Sequence, residues 1–218
     1  SPEDRMLRLI RANLYSATGD ATSATSIYRE LIEERPQDPV PYLSLFTLSA
    51  RLGDVAGAIA VLDEGLAATN DNPQMLFAKA GVLEQTGQPE GAIEIYETLY
   101  ALDSSNVVIA NNLASMLSAY RDDAESLERA AAVAQRLSGA EVPALQDTYG
   151  WIAYRRGDIE TALEYLEPAA EGLPENAMVQ MHLGLAYVAA DRPEQASNRL
   201  SRALQMAGTP LPPSFEKL

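Results

Sequence analysis

The chain has no cysteine, one histidine and one tryptophan among its 218 residues. Without cysteine it has no disulfide, no thiolate zinc ligand and no thiol nucleophile, although this absence fits a reducing and an oxidising compartment equally well. His182 is the single histidine, and neither a cysteine nor a motif-spaced carboxylate accompanies it. We therefore expect no metal, no cofactor and no catalytic residue. Acidic pairs such as Glu94 with Glu97 are interpreted as solvated surface.

Basic residues are also scarce. The chain carries 16 Lys and Arg against 31 Asp and Glu, which gives a formal charge of -15 at pH 7. A negative surface repels phosphate backbones and anionic headgroups, which are neutralised by Lys and Arg. Nucleic acid is therefore not expected as a partner. A bound protein or peptide segment is expected to be neutral or basic.

Long apolar stretches are absent as well. The longest uncharged run, residues 104–120, is interrupted by asparagines and serines, whereas a spanning helix needs ~20 predominantly apolar residues. We expect a soluble protein without membrane insertion, in a periplasm or a cytoplasm. The first residues, Ser1 to Asp4, contain no targeting segment, which is typical of an excised fragment or a mature form. The oligomeric state has no signature in the sequence.

Glycines recur at a fixed spacing. Gly19, Gly53 and Gly87 are each 34 residues apart, Gly157 follows 70 residues after Gly87, and the residue after each is Asp or Gln. An alanine follows each glycine by five residues, and two further alanines continue the series: Ala24, Ala58, Ala92, Ala130, Ala162 and Ala196. Ala130 fits if the fourth unit carries a short insertion at its turn. A period of this length is typical of helical repeat proteins.

Each period predicts two helices joined at the glycine, since glycine readily adopts the left-handed conformation that ends a helix. We number positions from the residue fourteen before each turn, so that the repeats cover about 5–38, 39–72, 73–106, 107–142, 143–176 and 177–208. This predicts one array over residues 5–208, followed by a proline-rich tail or cap at 209–218. Positions 4, 7, 8 and 11 share one side of the first helix and are expected to be buried.

This pattern resembles the tetratricopeptide repeat family, whose signature has a small residue at position 8, Gly near 15, Ala at 20 and Pro at 32. Pro36 and Pro174 supply that proline, whereas Arg121 and Asp191 replace the turn glycine and Arg8 and Arg11 depart on the first helix. The resemblance implies an all-α fold, a right-handed α-solenoid superhelix of about six helix-turn-helix repeats.

A second resemblance concerns the strings of residues 111–114, 147–151 and 154–157. They are similar to the C-terminal part of long bacterial tetratricopeptide proteins, some of which serve exosortase-linked or exopolysaccharide export systems in the cell envelope. This resemblance implies a bacterial origin and an envelope setting.

In such a superhelix the first helices line a concave groove. The candidate partner-binding residues are those expected on its surface: Phe77, Asn111, Asn112, Asp147, Trp151, Tyr154, Arg155, Met181 and Leu185. Four of them, Asp147, Trp151, Tyr154 and Arg155, stand at i, i+4, i+7 and i+8 on one helix face. Large aromatics and arginine dominate binding hot spots, but aromatics also fill space between adjacent helices. Asn111 and Asn112 either hold a peptide backbone or tie the preceding loop.

Three functions are compatible with these residues. The first is a non-enzymatic scaffold or adaptor that binds a protein or peptide segment in the groove. The second is a structural spacer within a longer envelope-associated repeat protein. The third, an enzyme, lacks any visible nucleophile with a base, carboxylate pair in a pocket, or metal cluster.

Overall fold

The computed structural model describes residues 2–207. Within this part of the chain the backbone forms twelve α-helices and one short 3-10 helix, and no strand is present there. The α-helices are α1 (Pro2–Thr18), α2 (Ala21–Glu34), α3 (Pro39–Arg51), α4 (Val55–Thr69), α5 (Pro73–Gln85), α6 (Pro89–Leu102), α7 (Val107–Tyr120), α8 (Ala124–Ala134), α9 (Pro143–Arg155), α10 (Ile159–Gly172), α11 (Ala177–Ala189) and α12 (Pro193–Ala207). The all-α prediction is confirmed.

The helices begin at residues that the sequence marks clearly. Asp20, Asp54 and Asp158 each precede a helix and accept a hydrogen bond from a backbone N–H in its first turn, at 3.1, 2.9 and 3.2 Å. Asn106 and Asn176 do the same for α7 and α11. A side-chain oxygen at this position satisfies a donor that has no partner inside the helix, which fixes where the helix starts.

The turns within the helix pairs are made by the spaced glycines. Gly19, Gly53, Gly87 and Gly157 have φ values of 90, 75, 71 and 82°, in the left-handed region that other residues adopt only at a steric cost. Asp191, which replaces the glycine in the last unit, also has a positive φ of 55°. The turns therefore confirm the interpretation of the glycine series.

Packing within each helix pair depends on small residues. Gly150 on α9 lies so close to α10 that an added Cβ would stand 2.8 Å from Leu166 Cγ, and one on Gly184 would stand 2.7 Å from Leu200. The expected inner positions are buried in the fourth and sixth units: Ala110, Leu113, Ala114, Leu117, Gln180, Leu183, Gly184 and Tyr187. Close helix approach thus explains the small residue at position 8.

The chain forms two compact units, residues 1–99 and residues 100–218. In the first unit α1 packs on α2, α2 on α3, α3 on α4 and α4 on α5, around the fully buried tyrosines Tyr28, Tyr42 and Tyr96. In the second unit the same alternation continues through α7, α8, α9, α10, α11 and α12. The division into six repeats within one array stays a prediction, and the tail at 209–218 lies outside the described residues.

Arg8, which departs from the repeat signature, and Arg5 tie α1 to the end of α2 and to Asp38 just after it. Arg8 contacts Glu34 at 2.6 Å, and Arg5 contacts Asp38 at 2.8 Å. The hydrogen bond from Arg8 is the main reason that the pKa of Glu34 lies below its usual value. These ion pairs stabilise the packing of α1 on α2 at the edge of the first helix pair.

Among residues 2–207, none of the helices combines the length and the apolar character that crossing a membrane requires.

Candidate protein-binding site

The second unit contains a stack of three aromatic rings on its first helices. Trp151 and Tyr154, three residues apart on α9, have ring centroids 5.1 Å apart and planes inclined by 19°. The His182 imidazole of α11 also stacks on the indole, with its centroid 4.1 Å away and its plane inclined by 15°. Trp151 and Tyr154 are partly buried, so each ring is fixed by its neighbours and keeps some surface exposed.

Asp147 holds the histidine in this stack. His182 Nδ1 lies 2.9 Å from Asp147 Oδ1 and 3.1 Å from Oδ2. Because a carboxylate only accepts hydrogen bonds, this contact makes Nδ1 the donor. The His182 side chain is 9% exposed and that of Asp147 is 14% exposed. The arrangement is a carboxylate beside a fixed aromatic platform, formed by helix α9 together with α11.

Arg155 points elsewhere. Its guanidinium donates to the Ser118 carbonyl near the end of α7 and lies 3.3 Å from Asp122 Oδ1. Arg51, at the same position 13 of the second repeat, donates in the same way to the Ser16 carbonyl at the end of α1. A cation at the C-terminal end of a helix satisfies carbonyls that have no partner inside it. This repeated contact indicates that Arg155 ties one first helix to the preceding one.

The two asparagines of α7 lie next to each other. Asn111 donates to Asn112 Oδ1 at 3.4 Å, while the buried Asn111 Oδ1 meets no donor among the described residues. The loop before α7 is held by Asp103, which accepts from Ser105 at 2.6 Å, and by Asn106. The loop is therefore held by residues other than the two asparagines, and the Asn111 acceptor is buried without a donor among the described residues.

The other candidate residues differ in their accessibility. Met181 is buried, at 5% exposure, so little of its side chain can contact a partner. Leu185, one turn further along α11, is partly exposed. Phe77 belongs to the first unit, where it is 37% exposed and meets Tyr96 edge-on at 6.0 Å. In the second unit the structure brings together Asp147, Trp151 and Tyr154 from the predicted set.

His182 is the residue of this cluster that sequence reasoning did not include. A signal for it exists, since Asp147 is at position 5 of the fifth repeat and His182 is at position 6 of the sixth, 35 residues later. Neighbouring first helices bring such positions together when repeats stack. The signal is therefore found by comparing positions between neighbouring repeats, and not by examining the helix of His182 alone.

Within the described part of the chain, no group of three or more His, Cys, Asp or Glu side chains could hold a metal ion. His182, which is paired with Asp147, stacks on the Trp151 ring. The arrangement supplies apolar contact area and one carboxylate.

Comparison with known proteins identifies the class. The family model for the tetratricopeptide repeat matches residues 15–80 and 153–210, and a second model of the same repeat matches residues 73–106. The chain therefore belongs to the tetratricopeptide repeat family. Its fold is an all-α solenoid of helical repeats, as predicted, and proteins of this family are typically non-enzymatic scaffolds for protein–protein interaction.

The individual proteins that the chain resembles share less than a third of its residues in the matched regions. The chain is 27% identical over 165 residues to "Protein CTR9 homolog" of Arabidopsis thaliana, covering 72% of this chain and 15% of that protein. It is 28% identical over 158 residues to "Cellulose synthase 2 operon protein C" of Komagataeibacter xylinus, covering 70% and 12%. The chain thus corresponds to a small part of both relatives.

Among solved structures, YrrB, described as a tetratricopeptide repeat protein with an unusual peptide-binding site, superposes with a TM-score of 0.64. Its sequence identity is 19%, and the match covers 82% of this chain and 91% of that one. At this identity the likeness supports the fold.

Proposed function

We propose that this chain is a non-enzymatic interaction module that binds a protein or peptide segment on the first helices of its second unit. The observation that carries the proposal is the ring stack of Tyr154, Trp151 and His182, with Asp147 beside it. Rigid aromatic side chains offer a large contact area at a low entropic cost, because packing has already fixed their rotamers.

The other predicted residues add less to the site. Asn111 Oδ1 has no donor among the described residues, but this atom is buried, so it offers little to a bound segment. Leu185 adds a partly exposed apolar side chain on α11. Asn112, Arg155 and Met181 belong to the predicted set as well, but the contacts and burial of Arg155 and Met181 favour a supporting role for both.

We test the binding site with a displayed library of random peptides selected on the wild-type protein. Enriched peptides should be lost when Trp151→Ala and Tyr154→Ala are combined, because the contact area of the stack is removed. They should be retained by Tyr120→Ala, a matched control in which the removed tyrosine is 53% exposed at the end of α7. Circular dichroism verifies that each variant is folded. Equal recovery by all three proteins would refute the site.

We further propose that the bound segment is neutral or basic. The net charge of -15 steers cationic ligands toward the protein, and the attraction is screened by salt. The affinity of an enriched peptide should therefore fall as salt is raised from low ionic strength to about 0.5 M. An affinity independent of salt would contradict this part of the proposal.

The second candidate function is a spacer within a longer repeat protein. It is favoured by the relatives, of which this chain matches only 15% and 12%. The bacterial relative takes its name from a cellulose synthase operon, which supports an envelope setting such as polysaccharide export. A spacer keeps its partners when the aromatic stack is removed, so the same double variant separates the two functions.

A further inference from the structure

One face of α1 is apolar and exposed. Leu7, Ile10 and Leu14 are 65, 51 and 61% exposed, and together with Arg11 they stand at i, i+3, i+4 and i+7, which places them on one side of the helix. The opposite side of α1 packs on α2, where Ala12 is fully buried. We call these four residues the α1 outer face.

Positions 3 and 10 are buried in most of the other repeats. Leu7 is at position 3, where Met75, Ile109 and Val179 are 0, 8 and 2% exposed. Leu14 is at position 10, where the later repeats bury most of their residues: Leu48, Met116, Ile152 and Ala186 are 1, 3, 2 and 0% exposed. By contrast, position 2 is exposed in several repeats, as Met6, Val40 and Val108 show. The exposure of Leu7 and Leu14 is therefore specific to α1.

Helices α4 and α5 show what covers this face in the first unit. Met75, at position 3 of α5, lies against Gly65 of α4, where an added Cβ would stand 2.0 Å from Met75 Cε. Lys79, at position 7 of α5, binds Asp63 of α4 at 2.6 Å. The second helix of one repeat thus covers the outer face of the next first helix, with a small residue and a carboxylate at the contact.

The α1 outer face has the same chemistry as that of α5. Arg11 is at position 7, as Lys79 is, and it forms no ion pair within the described residues. Leu7 and Leu14 correspond to Met75 and Val82. A terminal repeat that ends an array needs a polar outer face, whereas three of these four side chains are large and apolar.

We propose that the α1 outer face is a docking surface for the second helix of a preceding tetratricopeptide repeat in the same polypeptide. That helix presents a carboxylate toward Arg11 and a small residue toward Leu7, as Asp63 and Gly65 of α4 do toward α5, and its apolar side chains cover Leu14. The inference does not depend on the proposed peptide site, because it concerns a different helix and a different unit.

A second copy of this chain fits less well. Its last helix, α12, has an exposed apolar residue, Leu204 at 60%, but carries Ser201 at the position that Asp63 holds in α4. The arginines of α12 have partners in their own chain, since Arg199 donates to Gln180 on α11 and Arg202 pairs with Glu175. Without a carboxylate at the contact, α12 offers Arg11 no anionic partner.

The test is a fusion in which a duplicate of residues 39–72 is joined directly to residues 5–218. The duplicate supplies α3 and α4 as a preceding repeat in register with α1. Leu14→Asp is then introduced into both the fusion and the 218-residue chain. In the 218-residue chain Leu14 is exposed, so this chain should tolerate Leu14→Asp, with a shift of the melting temperature below ~1 °C. In the fusion we expect a loss of at least ~4 °C, because a charge is buried in an apolar contact.

The matched charge experiment uses the same fusion. Arg11→Ala and Asp63→Ser, the latter in the duplicate only, should each lower the melting temperature, and the double variant should lower it by less than their sum. Equal tolerance of Leu14→Asp in both proteins would overturn the proposal. A 218-residue chain that sediments as a dimer and becomes monomeric with Leu14→Asp would overturn it too, in favour of a second copy.

Discussion

Arg155 and Arg156 are adjacent in sequence but differ in what they contact. Arg155 donates to the Ser118 carbonyl and reaches Asp122, and its side chain is 20% exposed. Arg156 contacts only the surface carboxylate of Glu128, with the two side chains 43% and 66% exposed. We predict that Arg155→Met destabilises the protein clearly more than Arg156→Met does.

The size of the difference follows from these contacts. A hydrogen bond from a charged donor contributes ~1.5–3 kcal/mol, and partial exposure of Arg155 reduces this to about 1–2 kcal/mol. For a chain of this length the loss corresponds to a lowering of the melting temperature by ~2–8 °C. An exposed ion pair such as that of Arg156 contributes ~0–1 kcal/mol. Methionine keeps the length of the aliphatic stem in both variants, so packing changes little.

The assay is thermal unfolding followed by circular dichroism, combined with amide hydrogen exchange of the last turn of α7. Arg155→Met should speed exchange there, because the carbonyl groups at the helix end lose their donor. Arg156→Met should leave that turn unchanged. If both variants unfold at the same temperature and exchange equally in α7, Arg155 does not tie α9 to α7. Arg155 would then remain a candidate for binding a partner.

Three further predictions concern packing, pH and the ring stack. Gly150→Val should destabilise the protein by ~1–3 kcal/mol in urea unfolding, because the new side chain would overlap the helix packed against it. The pKa of Glu34 is lowered, mainly by its hydrogen bond with Arg8, so its stabilising effect is present above the usual pKa near 4.5 and is lost as the pH falls through the lower folded value. Between about pH 5 and pH 3, Glu34→Gln should therefore lose less stability than the wild type, and an equal loss would contradict the assignment. His182→Ala uncovers one face of Trp151, which should raise acrylamide quenching and shift its emission to longer wavelength; unchanged emission would argue against the stack.

The candidate site was only partly accessible to sequence reasoning. The spacing of Asp147, Trp151 and Tyr154 on one helix face follows from 3.6 residues per turn, and the structure places these three side chains together. The spacing says nothing about the partner of Asp147, because that partner is on the next first helix, 35 residues away. Likewise, the charge of Arg155 suggested a ligand contact, whereas the nearest acceptor is a helix-end carbonyl in its own chain.

The sequence alone determined the local structure: the helix starts at Asp20, Asp54 and Asp158, the left-handed glycines at the turns, and the buried side of α7 and α11; on α1 the expected burial of position 7 was wrong, because Arg11 is exposed. These features depend on backbone sterics and on hydrogen bonds between residues close in the chain, so a repeated pattern specifies them. Only the tertiary structure decided that His182 lies on Trp151 and that the outer face of α1 remains uncovered. Both depend on which helices become neighbours, and contacts between distant residues leave no mark within one helical period.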